Sequence, residues 1–308
     1  MLPRSEPLSI GLFRAANNWP VYVAAEKGFF EQKDLKVDLI HISSSRDQLE
    51  SLINGRFQII HTAADNVLAA ASAAAMGEDK TEKTEPKIFM GGDDGFLSVF
   101  SSPKIMSPSD LNGKNVGFDS ATSGFAFVLK KILSKAGLED DRGYNQVVVG
   151  GTELRYKALV EGRIDAAVMT PPHDLLSLKA GMRKMADVYQ YFTRYQGVVG
   201  ATCAGFLDSS QLRTYRTCFV RGLDWLSDSS NKGEAVRILK NYLQLESEDD
   251  VMSNLYDSMV LLKEGHNHSG FSPGAEIDFD GLAQVASLRM EFSHQSGLGE
   301  TSKYLIQL

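Results

Sequence analysis

Cysteine is scarce in this chain of 308 residues, which contains Cys203 and Cys218 and no others. Neither stands near further cysteines or histidines at the spacing of a metal site. A disulfide between the two is one interpretation, and reduced thiols in a cytosolic protein are the other. The cysteines therefore predict no metal centre.

Long apolar runs and clusters of positive charge are also absent. The longest run of small apolar residues, 67–76, is too short to span a bilayer, so we expect no membrane insertion. The net charge is −7 and the basic residues are scattered, which argues against a nucleic-acid partner. Residues 1–7 lack the basic and apolar regions of a secretory signal. We therefore expect a cytoplasmic protein, although removal of an export signal would place it in the periplasm or outside the cell.

Recognisable enzyme signatures are missing too. The sequence has no nucleophile elbow, no phosphate-binding P-loop, no Rossmann glycine pattern and no paired CxxC motif. His266 and His268 form an isolated His-x-His, which is weak support for a metal, and we interpret both as surface residues. The charged stretch 77–87 predicts a surface loop. We therefore expect neither a metal nor a cofactor.

The composition is that of a folded protein, with 43% hydrophobic and 23% charged residues, and the chain is long enough for two lobes. The prediction of a binding site begins with one stretch of the chain, in which a strand leads into a helix. A short apolar strand, 115–118, runs into the polar residues Asp119, Thr122 and Ser123, and apolar residues then recur at helical spacing. Hydroxyls and unpaired N–H groups at a helix N-terminus favour a carboxylate, sulfonate or phosphate. Ordinary helix capping by the same residues is the alternative.

The phrases around this stretch carry a family resemblance. Leu111-Asn-Gly-Lys-Asn-Val-Gly-Phe, the Ser-Gly turn and Lys135-Ala-Gly-Leu follow one another, and Ala24-Ala-Glu-Lys-Gly-Phe-Phe stands near the start. The chain resembles type II periplasmic-binding-protein-like proteins, in the nitrate, sulfonate and taurine solute-binding branch that also includes thiamine-pyrimidine synthases. The resemblance implies an α/β fold with two lobes, a ligand cleft between the lobes and a helical C-terminal portion.

Two similar segments within the sequence support the prediction of two similar lobes. Asn54-Gly-Arg-Phe-Gln-Ile-Ile parallels Glu161-Gly-Arg-Ile-Asp-Ala-Ala, and in each case a predicted helix, a Gly-Arg turn and a strand lead to a polar rim. We predict a first part of lobe 1 at 1–102, lobe 2 at 103–193, and a return to lobe 1 with C-terminal helices at 194–308.

The resemblance also directs attention to the polar residues that follow predicted strands. In open α/β sheets, ligands bind beyond the carboxyl ends of strands. The candidate ligand contacts are Asn17, Asn18, Trp19, Thr62, Asn66, Asp119, Thr122, Ser123, Thr152 and Thr170. The alternative for most of them is a helix cap or a turn residue, and for Trp19 it is packing within its loop.

Four further residues are candidates for acid–base catalysis: His61, Asp65, Asp93 and His173. We expect His61 and His173 to face each other across the cleft, with His61 transferring protons and Asp65 or Asp93 orienting it. Thr122 and Ser123 would anchor a substrate carboxylate. The alternative is that His61 is a satisfied interior histidine.

Three functions remain open at this point. The first is an intracellular, metal-independent enzyme that reuses the cleft for isomerisation, cyclisation, decarboxylation or hydrolysis of a small organic anion. The cysteine-rich run of the thiamine-pyrimidine synthases is absent, so their activity and cofactor are not transferred. The alternative is a solute-binding protein of an ABC transporter, whose partner would be a permease. The second alternative is a cytosolic sensor of the same ligand.

Overall fold

The computed structural model describes residues 6–76, 85–140, 142–245, 249–261, 270–293, 295 and 297–308. Of the predicted loop at 77–87, residues 77–84 lie outside the described part, as do His266 and His268, whereas residues 86 and 87 begin a strand. Ten strands are assigned in the described part: β1 Leu8–Phe13, β2 Val37–Ile42, β3 Ile59–Ala63, β4 Pro86–Gly91, β5 Ser98–Ser101, β6 Asn115–Phe118, β7 Asn145–Val148, β8 Ala166–Met169, β9 Arg183–Asp187 and β10 Val198–Cys203. The α-helices are α1 Trp19–Glu26, α2 Ser45–Ile53, α3 Ala64–Met76, α4 Gly124–Lys135, α5 Thr152–Val160, α6 His173–Lys179, α7 Ser209–Ser227, α8 Lys232–Leu243, α9 Asp249–Met259 and α10 Phe279–Ser293.

The strands form two five-stranded sheets of the same design, in the orders β2-β1-β3-β10-β4 and β7-β6-β8-β5-β9. The first three strands of each sheet are parallel, and the fourth runs antiparallel to its neighbours. Each sheet belongs to one lobe, so the predicted two-lobed α/β fold is confirmed.

The repeated Gly-Arg turn has the same backbone form in both lobes. Gly55 follows α2 with φ 74°, and Gly162 follows α5 with φ 70°. A left-handed residue just past a helix ends that helix at little cost when it is glycine. The chain then enters β3 in lobe 1 and β8 in lobe 2, which explains why these two segments of the sequence are similar.

The chain crosses between the lobes twice. The first crossing, 92–97, leads from β4 to β5, and the second, 188–197, leads from β9 to β10. In each lobe the strand that follows a crossing takes the fourth place in the sheet. Because β5 pairs with β8 and β9, the first crossing lies a few residues before the expected lobe boundary at 102.

The helical C-terminal portion packs mainly on lobe 1. Helices α7, α8 and α9 share an apolar core with α1, in which Trp19, Tyr215, Phe219 and Tyr256 are fully buried. Helix α10 instead packs against both α3 of lobe 1 and α4 of lobe 2. It therefore connects the two lobes in addition to the crossings. Among the described helices, none combines the length and apolar character that a membrane span requires.

Candidate functional site

The cleft lies between the carboxyl ends of the parallel strands of the two lobes, where open α/β sheets bind ligands. Lobe 1 contributes the segments after β1, β3 and β4, and lobe 2 those after β6, β7 and β8. Most of the predicted site residues follow these strands, whereas His61 and Thr62 lie within β3, and the side chains point in different directions.

A buried ion pair joins the two lobes. Arg289 on α10 donates from Nε to Oδ1 of Asp65 at 2.7 Å and from Nη2 to Oδ2 at 2.6 Å, and both side chains are buried. Burial raises the pKa of Asp65, whereas the Arg289 guanidinium opposes that rise. Nη2 of Arg289 also donates to the carbonyl of Thr122 in lobe 2, at 3.1 Å. The guanidinium therefore contacts both rims of the cleft.

The Asp65 carboxylate lies beside the start of α4, the position that the sequence predicts to bind an anion. The backbone N–H of Gly124 lowers the pKa of Asp65, and a Cβ added to Gly124 would lie 2.6 Å from the Asp65 Cβ. Ser123 caps the helix by accepting from the N–H of Ala126 at 3.0 Å, and its hydroxyl donates to Asp119 at 2.5 Å. A carboxylate thus occupies this position, and the chain itself supplies it. A ligand role for Thr122, Ser123 and Asp119 stays a prediction.

Asp93 lies in the first crossing and ties the two crossings together. Its Oδ1 accepts from the N–H of Gly95 at 2.8 Å and from the N–H of Val198 at 3.2 Å. Its carbonyl accepts from the N–H of Gly197. Burial raises the pKa of Asp93 to about 7, and the side chain of Asn17, in the loop after β1, lowers it. Asp93 and Asn17 are therefore neighbours at the floor of the cleft.

Tyr195 stands among the carboxylates of the cleft. It is buried, and burial together with the negative charges of Asp65, Asp93 and Asp119 raises the pKa of its hydroxyl well above the usual range. These acids come from lobe 1, from the crossing and from lobe 2. Tyr195 therefore marks the point at which the three regions meet.

A second buried arginine supports the rim of lobe 2. Arg155 donates from Nε to the carbonyl of Val168 at 3.0 Å, from Nη1 to the carbonyl of Gly150 at 2.6 Å, and from Nη2 to Oγ1 of Thr152 at 3.0 Å. Oγ1 of Thr152 is 3.2 Å from Oγ1 of Thr170. Burial lowers the pKa of Arg155 and the charge of Asp119 raises it. Thr152 and Thr170, each a candidate ligand contact, are thus brought together.

His61 and His173 do not face each other across the cleft, which corrects that expectation. Side chains alternate along a strand, and on β3 this alternation directs His61 toward α7. Its Nε2 is 2.8 Å from the hydroxyl of Tyr215, its ring packs on Phe219, and burial lowers its pKa to about 4. His173 starts α6 beside Tyr156, and burial lowers its pKa to about 4 as well. An acid–base role for either histidine stays a prediction.

The remaining candidates form hydrogen bonds within the protein or are buried in it. Trp19 is fully buried and donates to the carbonyl of Ala235, which matches the packed alternative for this residue. Asn18 is buried and donates to the carbonyl of Phe13 at 2.7 Å. Nδ2 of Asn66 donates to Oγ1 of Thr62 at 3.0 Å at the start of α3. Ligand contacts of these four residues are not tested by this geometry.

Sequence reasoning missed Arg289, Arg155 and Tyr195. Each arginine stands in the buried stripe of an amphipathic helix, at helical spacing from Leu282 and Val285 in α10 and from Ala158 and Leu159 in α5. A charged residue within such a stripe needs a partner, and that pattern could have indicated both. Within the part of the chain that is described, no cluster of three or more His, Cys, Asp or Glu side chains could hold a metal ion. Cys203 and Cys218 are free thiols rather than a disulfide.

The fold and its cleft are those of two-lobed periplasmic binding proteins. Residues 15–229 match the family described as NMT1/THI5 like, and the chain belongs to this family. No curated protein matches the chain.

Solved structures agree with the fold. The alkanesulfonate-binding protein SsuA from Xanthomonas axonopodis pv. citri, bound to MOPS, has a TM-score of 0.77 at 15% identity, with 100% of both chains covered. The ligand-binding component of an ABC-type import system from Staphylococcus aureus has a TM-score of 0.75 at 13% identity, covering 98% of this chain and 97% of that one. The periplasmic nitrate-binding protein NrtA from Synechocystis PCC 6803 has a TM-score of 0.71 at 10% identity, covering 98% and 91%. At these identities the likeness shows the fold alone.

Proposed function

We propose that this protein is a receptor that closes its two lobes on a small organic anion in the interlobe cleft, as solute-binding components of ABC transporters do. The fold supports this proposal, and so do the similar structures, which include a sulfonate-binding and a nitrate-binding protein. A membrane permease would then be the partner that accepts the ligand.

The observation that carries the proposal is the position of the Asp65 carboxylate. It lies beside the first turn of α4, next to the Gly124 N–H and the Arg289 guanidinium. A helix N-terminus and an arginine are the two groups that most commonly hold a small anion. A ligand carboxylate or sulfonate would take this place by displacing Asp65, and the lobes would then close on the ligand.

Binding has more support than turnover. The ring of His61, the expected proton-transfer group, is enclosed by Tyr215 and Phe219 inside lobe 1. Its pKa is lowered to about 4 by burial, so the ring is neutral and cannot act as an acid at neutral pH. Binding of an anion needs no proton transfer by His61.

The test combines ligand capture with a measurement of shape. Purified protein is incubated with the small-molecule fraction of a whole-cell extract, desalted and analysed by native mass spectrometry. We expect a retained small molecule that is released unchanged and that alters the radius of gyration measured by small-angle X-ray scattering. Retention of no molecule would contradict the proposal, and release of a chemically altered molecule would favour an enzyme.

A further inference from the structure

One oxygen of the Asp93 carboxyl has no partner in the described structure. Oδ1 accepts from two backbone N–H groups of the crossings, whereas Oδ2 is buried and accepts from none. The residue as a whole is 2% exposed. A buried carboxyl oxygen without a donor costs free energy that a hydrogen bond from a ligand would recover.

The neighbouring amide presents a second acceptor. Asn17 lies beside the Asp93 carboxyl, and its Oδ1 is also buried without a hydrogen bond. The Asn17 side chain lowers the pKa of Asp93, so the amide lies close to the carboxyl, and Oδ1 of Asn17 is an acceptor without a donor. Asn17 retains partial exposure as a residue, whereas the two acceptor oxygens are buried, so a small molecule would reach them when the lobes open.

The distribution of positive charge singles out Asp93 among the cleft acids. Asp65 is paired with Arg289, and Asp119 is compensated by Arg155. No lysine or arginine lies within ion-pair distance of Asp93 in the described ranges. The buried Tyr195 nearby offers no positive charge. A ligand cation is the missing partner that this arrangement fits.

We propose that Asp93 and Asn17 form a subsite for a positively charged nitrogen group, a protonated amine or an amidine, on the ligand of this protein. The inference rests on the proposed function and adds to it. Together with an anionic group near α4, the subsite makes the preferred ligand a small zwitterion. The nitrogen donates to Oδ2 of Asp93 and Oδ1 of Asn17, two acceptors that backbone groups leave free.

The titration of Asp93 supplies an independent readout. Burial raises its pKa to about 7, and an adjacent ammonium lowers the pKa of a carboxyl. Binding of a cation at pH 7 therefore releases about half a proton from Asp93. Calorimetry of a retained molecule binding to the protein, in two buffers of different ionisation enthalpy, measures how many protons are released. A carboxyl that only ties the two crossings together would release none.

The test compares three proteins: wild type, Asp93→Asn and Asp165→Asn. Asparagine at 93 keeps an oxygen for the N–H groups of Gly95 and Val198 but replaces the free acceptor with an NH₂ donor. Asp165 is the matched control, because its carboxyl also accepts a backbone N–H, that of Asn115, at the opposite end of the lobe 2 sheet. Each protein is incubated with the small-molecule fraction of a whole-cell extract, and with the same fraction after N-acetylation by acetic anhydride. Retained molecules are identified by mass spectrometry.

We expect wild type and Asp165→Asn to retain molecules that carry a basic nitrogen. Retention should fall by about tenfold or more in Asp93→Asn and after acetylation, as expected for loss of one charge-assisted hydrogen bond. Equal retention by Asp93→Asn, or retained molecules without a basic nitrogen, would overturn this inference and leave the receptor proposal standing. Retention of nothing by any of the three proteins would overturn both. Circular dichroism of each variant confirms that it is folded.

Discussion

Arg289 and Asp65 form a two-point ion pair, with distances of 2.7 and 2.6 Å, at the boundary between the lobes. The arginine comes from the last long helix and the aspartate from the first turn of α3, 224 residues earlier. The guanidinium also lies over the ring of Phe127 in lobe 2, 5.1 Å from its centroid. One buried cation thus connects α10, α3 and α4, and the pair should affect both stability and lobe closure.

Replacing Asp65 with Asn should destabilise the protein strongly. The amide keeps the shape of the carboxylate but leaves the charge of Arg289 buried without a counterion. Breaking a buried pair from one side costs about 3–5 kcal/mol. Urea unfolding followed by circular dichroism measures the change in the free energy of unfolding. The double variant Asp65→Asn/Arg289→Met should recover most of the loss, because no unpaired charge remains.

The exposed pair Arg46 and Glu50 provides the control, since both side chains are more than half exposed, at 85% and 56%. Glu50→Gln should leave the unfolding curve unchanged, because solvent screens such pairs. A similar loss in Glu50→Gln and Asp65→Asn would mean that burial of the Asp65 pair is not the cause.

Replacing Gly124 with Ala should push the lobes apart. The added Cβ would lie 2.6 Å from the Cβ of Asp65, closer than two carbon atoms approach without displacement. Overpacking of this kind costs about 1–3 kcal/mol. Small-angle X-ray scattering should show a larger radius of gyration, and the melting temperature should fall. Gly233→Ala, where the added Cβ meets nothing within 4 Å, should leave the radius of gyration unchanged and should not lower the melting temperature.

Much of the fold could be predicted from the sequence because local patterns determine it. The strand at 115–118 and the helix after Ser123 follow from apolar spacing and a capping residue, and both form as expected. The Gly-Arg turns predict two lobes of one design, because each glycine ends a helix in the same way. Local patterns do not determine the pairing of Ser98–Ser101 with β8 and β9, because it depends on residues about 65–90 positions away.

The site was harder to predict, because the direction of a side chain depends on tertiary packing. The sequence suggests that a strand ends at His61, whereas His61 is the middle residue of β3, and the face it occupies is decided by α7, more than a hundred residues later. Asp65 was identified as a cleft residue, yet its partner Arg289 comes from a distant helix. An anion position at the start of α4 could be predicted from the polar run, whereas the identity of the anion beside it could not.

Replacing Arg155 with Met should destabilise lobe 2. The change removes the donors to the carbonyls of Gly150 and Val168 and to the Thr152 hydroxyl, and a buried acceptor without a donor costs about 1–3 kcal/mol. Hydrogen exchange measured by mass spectrometry should increase in α5 and β8. Arg163→Met is the control, because this exposed arginine pairs with Glu161 two residues away. Equal exchange in the two variants would mean that the three hydrogen bonds of Arg155 do not stabilise the lobe.

His61 should make the protein less stable as the pH falls. Its pKa is about 4 in the folded protein against an ordinary histidine value of 6.5, so the unfolded chain binds more protons between these values. The free energy of unfolding should therefore decrease from pH 6.5 toward pH 4, by up to about 1.4 kcal/mol per pH unit. His61→Phe, which keeps a ring in the cavity, should lack this contribution. NMR titration should show the His61 ring neutral at pH 6, and a titration near pH 6.5 would contradict the prediction.

Asp93 should make the protein less stable as the pH rises. Its pKa is about 7 in the folded protein against an ordinary aspartate value of 3.8, so between these values the folded protein binds more protons than the unfolded chain. The contribution of Asp93 to stability is therefore present at low pH and is lost as the pH rises through 7, by up to about 1.4 kcal/mol per pH unit. Unfolding curves of wild type and Asp93→Asn should diverge over this range, with the wild type losing stability relative to the variant. Asp165→Asn should follow the wild type, and parallel curves for wild type and Asp93→Asn would show that Asp93 titrates as it does in the unfolded chain.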